Sequence, residues 1–159
     1  MIEYMQFKEE YNVEVQKLIY SIMEMELKIN KEQISSITKD LENIKSYYIN
    51  SGGNFWLAIN KENSELVGTV GIRKIDEINA EFKRFYVKEN YRDKHIGHEL
   101  YKIAEKFAID NNFKTLYLVS GNKSEKACKM YYKKGWKLAS KENKNVFVRK
   151  GANLYIKDI

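Results

Sequence analysis

The chain reads as an α/β protein: a mixed sheet made of an antiparallel meander followed by a parallel strand–helix–strand crossover, with helices on both faces. Three observations predict this. Strand-like runs at 55–59, 66–72 and 81–87 follow one another through short polar segments, which implies antiparallel neighbours. The apolar period then lengthens to that of a helix over 96–107 before a short apolar run at 116–119, so the flanking strands lie parallel. Two helical stripes precede the meander and can cover one face of the sheet.

Taken in order, residues 2–7 form a short strand. Asn12 is placed to cap a helix, with Glu14 in its first turn. Val15, Leu18, Ile19, Ile22 and Met23 then recur at helical spacing. Ile34, Ile37, Leu41, Ile44 and Tyr48 make a second, looser helical stripe that ends at Ser51-Gly52-Gly53. The strand at 55–59 turns through the polar run 60–64 into 66–72, which carries two glycines. Segment 74–79 returns the chain to a strand holding Phe82, Phe85, Tyr86 and Val87, types that suit a pleated surface. Ile96, Leu100, Ile103 and Phe107 define the next helix, closed by Asn111-Asn112 in a left-handed cap. Ser124 caps a last helix through Ala127, Met130 and Tyr131, stopped at Gly135. Runs at 136–138, 146–148 and 154–156 read as strands.

A length of 159 residues predicts one domain spanning 1–159, and neither a proline nor an internal repeat marks a boundary. At 43% hydrophobic and 13% aromatic the chain can bury a sizeable core. Its formal charge of +6 suits an anionic ligand or surface. The positive charge is scattered, with no basic tail for nucleic acid and no recognition motif. The single cysteine, Cys128, excludes an intramolecular disulfide and fits a reducing compartment. The N-terminus has no basic region followed by an apolar run, and no apolar stretch approaches about 18 residues. The expectation is a soluble cytoplasmic protein, in contact with neither membrane nor nucleic acid. The Lys-, Asn- and Ile-rich composition points to a bacterium. Two histidines, one cysteine and no clustered ligand spacing predict no metal.

One stretch carries chemistry. The run 81–100 is a strand, a basic turn and a helix start, and the turn spans Arg92, Asp93, Lys94, His95, Ile96 and Gly97. N–H groups at a helix start lack intrahelical partners and carry the positive end of the dipole, so the turn can receive a phosphate. The antiparallel half of the sheet also meets the parallel half after residue 87. A ligand crevice is expected at such a switch point. The alternative is an ordinary strand-to-helix connection with a charged surface turn.

Two motifs in this order resemble the GNAT N-acetyltransferase superfamily, over nearly the whole chain. Its signature Gln/Arg-x-x-Gly-x-Gly/Ala is matched by Arg92-Asp93-Lys94-His95-Ile96-Gly97 after Phe85-Tyr86-Val87. A second signature is matched by Ala127-Cys128-Lys129-Met130-Tyr131-Tyr132-Lys133-Lys134-Gly135-Trp136. The sequence departs from the pattern at His95, where the family has its first glycine, and at Ser124, where the family often has asparagine. A side chain at 95 has to point away from the phosphates, and histidine is among the residues less penalised at positive φ.

The resemblance implies acetyl-CoA as donor. Its pyrophosphate would lie on the backbone of the turn Arg92–His98, and its pantetheine arm along Phe85, Tyr86 and Val87. Ser124 and Lys129 would be further cofactor contacts, and Lys94, Lys126 and Lys133 would flank the mouth. Tyr131 would protonate the leaving thiolate; the other reading is a packed aromatic, with Tyr132 beside it as a decoy. Glu81 would be the base, against the reading of a solvated carboxylate. Glu24 and Glu26 would draw in a cationic amine, or else form a charged outer face. His95 and His98 sit too near the turn to be bases, and Cys128 reads as a packing residue. The acceptor would be a small-molecule or peptide primary amine, bound by residues 10–50 and 139–153. The resemblance leaves a homodimer open. The competing reading is a CoA-binding module of this fold with weak or no turnover, suggested by His95 and Ser124.

Overall fold

The computed structural model describes residues 1–142 and 146–159. The chain runs β1 (Ile2–Gln6), α1 (Asn12–Ser21), α2 (Lys31–Ile37), β2 (Asn54–Asn60), β3 (Glu65–Lys74) and β4 (Asn79–Val87). It continues through α3 (Ile96–Asp110), β5 (Thr115–Ser120), α4 (Glu125–Lys133), β6 (Lys137–Ala139) and β7 (Asn153–Asp158). The strands form one mixed sheet in the order β1-β2-β3-β4-β5-β7-β6. β1 to β4 are antiparallel neighbours, β4 and β5 are parallel, and β7 returns antiparallel between β5 and β6. The predicted meander and crossover are both present.

Each face of the sheet has its own core. Ile72, Phe82, Leu100, Ala104, Tyr131 and Trp136 pack on the side of α3 and α4. Val15, Ile19, Leu41, Tyr48, Phe55 and Leu57 pack on the side of α1 and α2. The period-2 alternation of the strands divides the two sets, since successive side chains point to opposite faces. The buried line of α3 is Ile96, Leu100, Tyr101, Ala104 and Ala108. Ile103 and Phe107, expected at its centre, lie on its flank, partly buried. Ala104 and Ala108 are fully buried on that line, and a count of large apolar residues overlooks them.

Four local expectations are corrected. Asn12 does not cap α1: a 3-10 turn at Glu9–Tyr11 precedes it, and Asn12 is its first helical residue. The stripe from Ile34 to Tyr48 is broken into α2, a 3-10 turn at Lys39–Glu42 and a π-helical turn at Lys45–Ile49. Thr38 ends α2 by donating its hydroxyl to the Ile34 carbonyl (2.7 Å), a back-bond that competes with the helical ladder. Asn43 then restarts the chain by accepting the Ser46 N–H (3.1 Å). Residues 146–148 form no strand, because β5 and β6 already occupy both edges of β7. Val146 instead buries its side chain with Tyr117 and Leu154. The strand expected at 136–138 begins one residue later, and Trp136 drops into the core. The left-handed turn after α3 is present, at Asn112 (φ 65°).

Candidate active site

The sheet opens where its two halves meet. β4 and β5 pair only from Asn79 to Glu81, opposite Thr115 to Tyr117. Beyond Glu81 the strands diverge, while β4 continues to Val87 and β5 to Ser120. The edge of β4 on that side thus carries backbone groups without a strand partner, and an extended chain with amides can supply one.

A β-bulge contributes to the divergence. Thr69 lies opposite Tyr86 and Gly71 opposite Lys83, so β4 holds one residue more than β3 across this step. Arg84 takes the left-handed conformation there (φ 55°), and its carbonyl accepts the Thr69 hydroxyl (2.7 Å). The bulge is tied from outside the sheet. The Arg84 guanidinium forks onto Asp40, with Nε to Oδ2 at 2.9 Å and Nη2 to Oδ1 at 2.6 Å. It also donates to the Ile37 carbonyl (2.7 Å). The Tyr48 hydroxyl donates to Asp40 (2.5 Å). Both charged side chains are sealed, at 8% and 4% exposure. Burial pushes the Asp40 carboxyl up, but the hydrogen bonds and charge of Arg84 outweigh it and hold it below its ordinary value.

The resulting cavity has a volume of about 680 Å3. Phe85, Tyr86 and Val87 form its β4 wall, with Ser120 and Gly121 on the β5 side and Ser124, Ala127 and Tyr131 from α4. The start of α3 abuts it: a Cβ built on Gly97 would lie 3.5 Å from both Phe85 Cζ and Val87 Cγ2. The first intrahelical hydrogen bond of α3 runs from Glu99 N to His95 O (3.1 Å). The N–H groups of Ile96, Gly97 and His98 therefore precede the helical ladder. Two non-glycine residues shape the turn, Asp93 (φ 61°) and His95 (φ 63°), so histidine does occupy the left-handed position that favours glycine.

Within this turn the side chains do little of what the sequence suggests. Asp93, Lys94, His95 and His98 are exposed and do not line the cavity, and Ile96 is buried in the core. Lys94 lies over the Tyr91 ring, and Asp93 is 3.6 Å from Lys126. What this turn brings toward β4 is its backbone, at Gly97, rather than these side chains. Arg92 does line the cavity, but its Nε donates to the Val87 carbonyl (2.8 Å) and its fork holds Glu26 (2.6 and 3.0 Å). Glu26 is thereby neutralised, and Glu24 lies outside the cavity, 3.9 Å from Lys31. Lys129 and Lys133 are exposed and also outside it; Lys129 pairs with Glu125 (2.8 Å). Lys126 alone of the predicted lysines is at the lining.

The last helix sorts the two adjacent tyrosines. Ser124 accepts the Ala127 N–H (3.2 Å) and so caps α4 as expected. Gly135 (φ 91°) turns the chain out of the helix in a conformation that costs other residues energy. Tyr131 lies on the buried face and lines the cavity, while Tyr132 is 53% exposed. The Tyr131 hydroxyl donates to Ser120 Oγ (3.3 Å), and its ring packs tilted against Tyr155, with centroids 4.9 Å apart. Burial raises its pKa above the ordinary phenol value, so the proton stays on. Cys128 is partly buried with its Sγ 3.4 Å from the Tyr155 hydroxyl, a packing position.

Glu81 is not a solvated strand end. It is 5% exposed, lines the cavity at the apex of the divergence and receives Arg73 Nε at 2.9 Å, with Lys83 Nζ at 3.9 Å. Arg73 faces Glu81 across the β3–β4 ladder, which fixes the pair. Sequence reasoning missed Asp40, Arg84, Lys83, Arg73 and Arg149, all at the cavity. One signal was available: Lys83-Arg84 followed by Phe85-Tyr86 breaks the alternation of a strand, as a bulge does. Asp40 carries no such signal. Among the described residues, no three His, Cys, Asp or Glu side chains stand together as a metal site, and no helix is long and apolar enough to cross a membrane.

The sequence model of the Acetyltransferase (GNAT) family matches residues 19–136. An acetyltransferase of that family from Staphylococcus aureus Mu50 has a similar structure, with a TM-score of 0.86, 28% identity and 99% of both chains covered. The PaiA N-acetyltransferase of Thermoplasma acidophilum, solved with coenzyme A, superposes with a TM-score of 0.79 at 21% identity, over 100% of this chain and 99% of that one. The N-acetylaspartate synthetase of Xenopus tropicalis is 31% identical over 104 residues, which is 64% of this chain and 38% of that relative. The chain thus matches little more than a third of that relative's length.

Proposed function

The chain belongs to the GNAT acetyltransferase family, and on that premise we propose that it transfers the acetyl group of acetyl-CoA directly to a primary amine. The observation that carries this is the opening between β4 and β5, with Tyr131 in its lining and the start of α3 against Phe85 and Val87 of its wall. The unpaired edge of β4 suits the amides of a pantetheine arm, and the N–H groups of Ile96, Gly97 and His98 suit a pyrophosphate. Gly97 carries no side chain at the second helical position, and even a Cβ there would meet Phe85 and Val87 only at ordinary contact distance (3.5 Å), which supports approach of a phosphate to the backbone.

The residues divide the chemistry among them. A backbone N–H of the bulged stretch Phe85–Val87 stabilises negative charge on the thioester oxygen as the amine nitrogen adds to the carbonyl carbon. Glu81, directly or through water, takes the proton that the amine loses as the C–N bond forms. Tyr131 donates its phenolic proton to sulfur as the C–S bond breaks, and recovers one from solvent. Holding both substrates along β4 removes much of the entropic cost of their encounter. The single thiol, Cys128, is compatible with work in a reducing cytoplasm.

A thiol-release assay with an amine panel, run beside calorimetric titration with acetyl-CoA, tests the reading. Tyr131→Phe should lower kcat by about 100-fold and leave the acetyl-CoA Kd within about two-fold, as expected for loss of a general acid. Because the Tyr131 pKa is raised, loss of the acid form should not limit kcat below about pH 10. Unchanged turnover in Tyr131→Phe would remove the acid role. Glu81→Gln should lower kcat by about 100-fold, as expected for loss of a general base; an unchanged kcat would assign the base to water.

A further inference from the structure

β4 turns its two faces to different tasks. Phe82, Phe85 and Val87 point toward α3 and α4, and Lys83, Arg84 and Tyr86 point toward the segment that carries Asp40 and Tyr47. On this second side the cavity is lined by Lys39, Arg73, Lys83, Arg84 and Arg149, against only two carboxylates, Asp40 and Glu81. Both acids are already matched. Arg84 forks onto Asp40, and Arg73 holds Glu81 at 2.9 Å. Lys83 is 19% exposed, reaches Glu81 only at 3.9 Å and leans on the Tyr47 hydroxyl (3.4 Å).

Arg149 is the most telling group. Its guanidinium is half-buried and packs on Gly121, where a Cβ would come within 2.3 Å of Nη2. Among the described residues no carboxylate forms an ion pair with it, and Arg84 places a like charge in its surroundings. A guanidinium keeps its charge in such a place, and its planar fork matches a carboxylate. The one other acid at the cavity, Glu26, is spent on Arg92.

Resting on the acetyltransferase reading above, the geometry points to an acceptor that is a primary amine bearing a carboxylate, an amino acid rather than a polyamine, with Lys83 and Arg149 binding its acid group. A polyamine would meet a surplus of like charge and no free acid. An amino acid supplies the missing anion and leaves its amine for Glu81.

The full chain, acetyl-CoA and the thiol-release assay test this with glutamate, aspartate, glycinamide, spermidine and phosphoethanolamine as acceptors. The amino acids should exceed glycinamide and spermidine in kcat/KM by at least about ten-fold, the scale of one charged contact. Arg149→Gln and Lys83→Met should each raise the amino-acid KM by about ten-fold, with kcat and the acetyl-CoA KM little changed. Preference for spermidine or glycinamide overturns the inference, as does an unmoved KM in the folded double variant. Preference for phosphoethanolamine replaces the carboxylate by a phosphate and overturns it too. Should no acceptor turn over, the CoA-loaded protein is titrated with glutamate and aspartate. Binding weakened by Arg149→Gln supports the site, and absence of binding overturns it. Failure of the protein to bind acetyl-CoA would instead remove the acetyltransferase reading itself, whereas acetylation of spermidine alone would leave that reading standing.

Discussion

Gly97→Glu should abolish measurable acetyl-CoA binding, weakening it by at least about 100-fold, while the protein remains folded. The N–H groups at the start of α3 attract a pyrophosphate through hydrogen bonds and the helix dipole. A glutamate at the second helical position brings bulk and a negative charge to the same place. Stability should hardly suffer, because an acidic residue suits the first turn of a helix and a Cβ at Gly97 meets Phe85 and Val87 only at ordinary contact distance, 3.5 Å. Gly97→Ala is the matched control, expected to bind within about ten-fold of the parent, since it adds a methyl group and no charge. Calorimetric titration of both variants, with thermal melts alongside, separates loss of the cradle from loss of the fold. Tight binding by a folded Gly97→Glu would place the pyrophosphate elsewhere.

Arg84→Met should cost about 3–5 kcal/mol of stability, because it leaves the Asp40 carboxylate buried without its counter-ion. The pair is sealed and forked, and Tyr48 adds a hydrogen bond to the same carboxylate. Replacing both partners, as Asp40→Leu with Arg84→Met, should recover much of that loss in a denaturant melt, since two apolar groups leave no orphaned charge. It should not recover turnover. Without the guanidinium the bulge of β4 loses its tie to the Lys39–Glu42 turn, and the backbone N–H groups of Phe85–Val87 lose their fixed aim. A double variant with full activity would show that the clamp serves stability alone.

The same pair predicts how stability falls in acid. The folded pKa of Asp40 lies below the unfolded value of 3.8, so the folded state holds the proton less tightly. Its contribution is complete above that unfolded value and disappears as the pH falls through the folded pKa. Asp40→Asn should therefore melt at a lower temperature than the parent at neutral pH, and the gap should narrow below about pH 4.

Much of this was legible in the residues. The meander, the crossover and the helix start at Ile96 were all readable, because they are written in local periodicity and in residues with strong backbone preferences. Gly135 and Asn112 mark their turns in the same way, and Ser124 marks its cap. Tyr131 stood out by its place in a motif, although only its burial, against the exposure of Tyr132, separates the two neighbours. Asp40 and Arg84 were not readable. They lie 44 residues apart, and each looks like an ordinary charged residue until the fold brings them together. The break of the stripe at Thr38 belongs to the same arrangement, since it places Asp40 in the 3-10 turn from which it meets Arg84.

By itself, then, the sequence determined the antiparallel meander, the parallel crossover and the start of α3, because period and turn chemistry act over a few residues. Only the tertiary structure decided how far β4 and β5 separate, which charges are spent on one another and which remain for a substrate. Those are sums over groups distant in the chain, and a charge counts as available only after its neighbours in space are known.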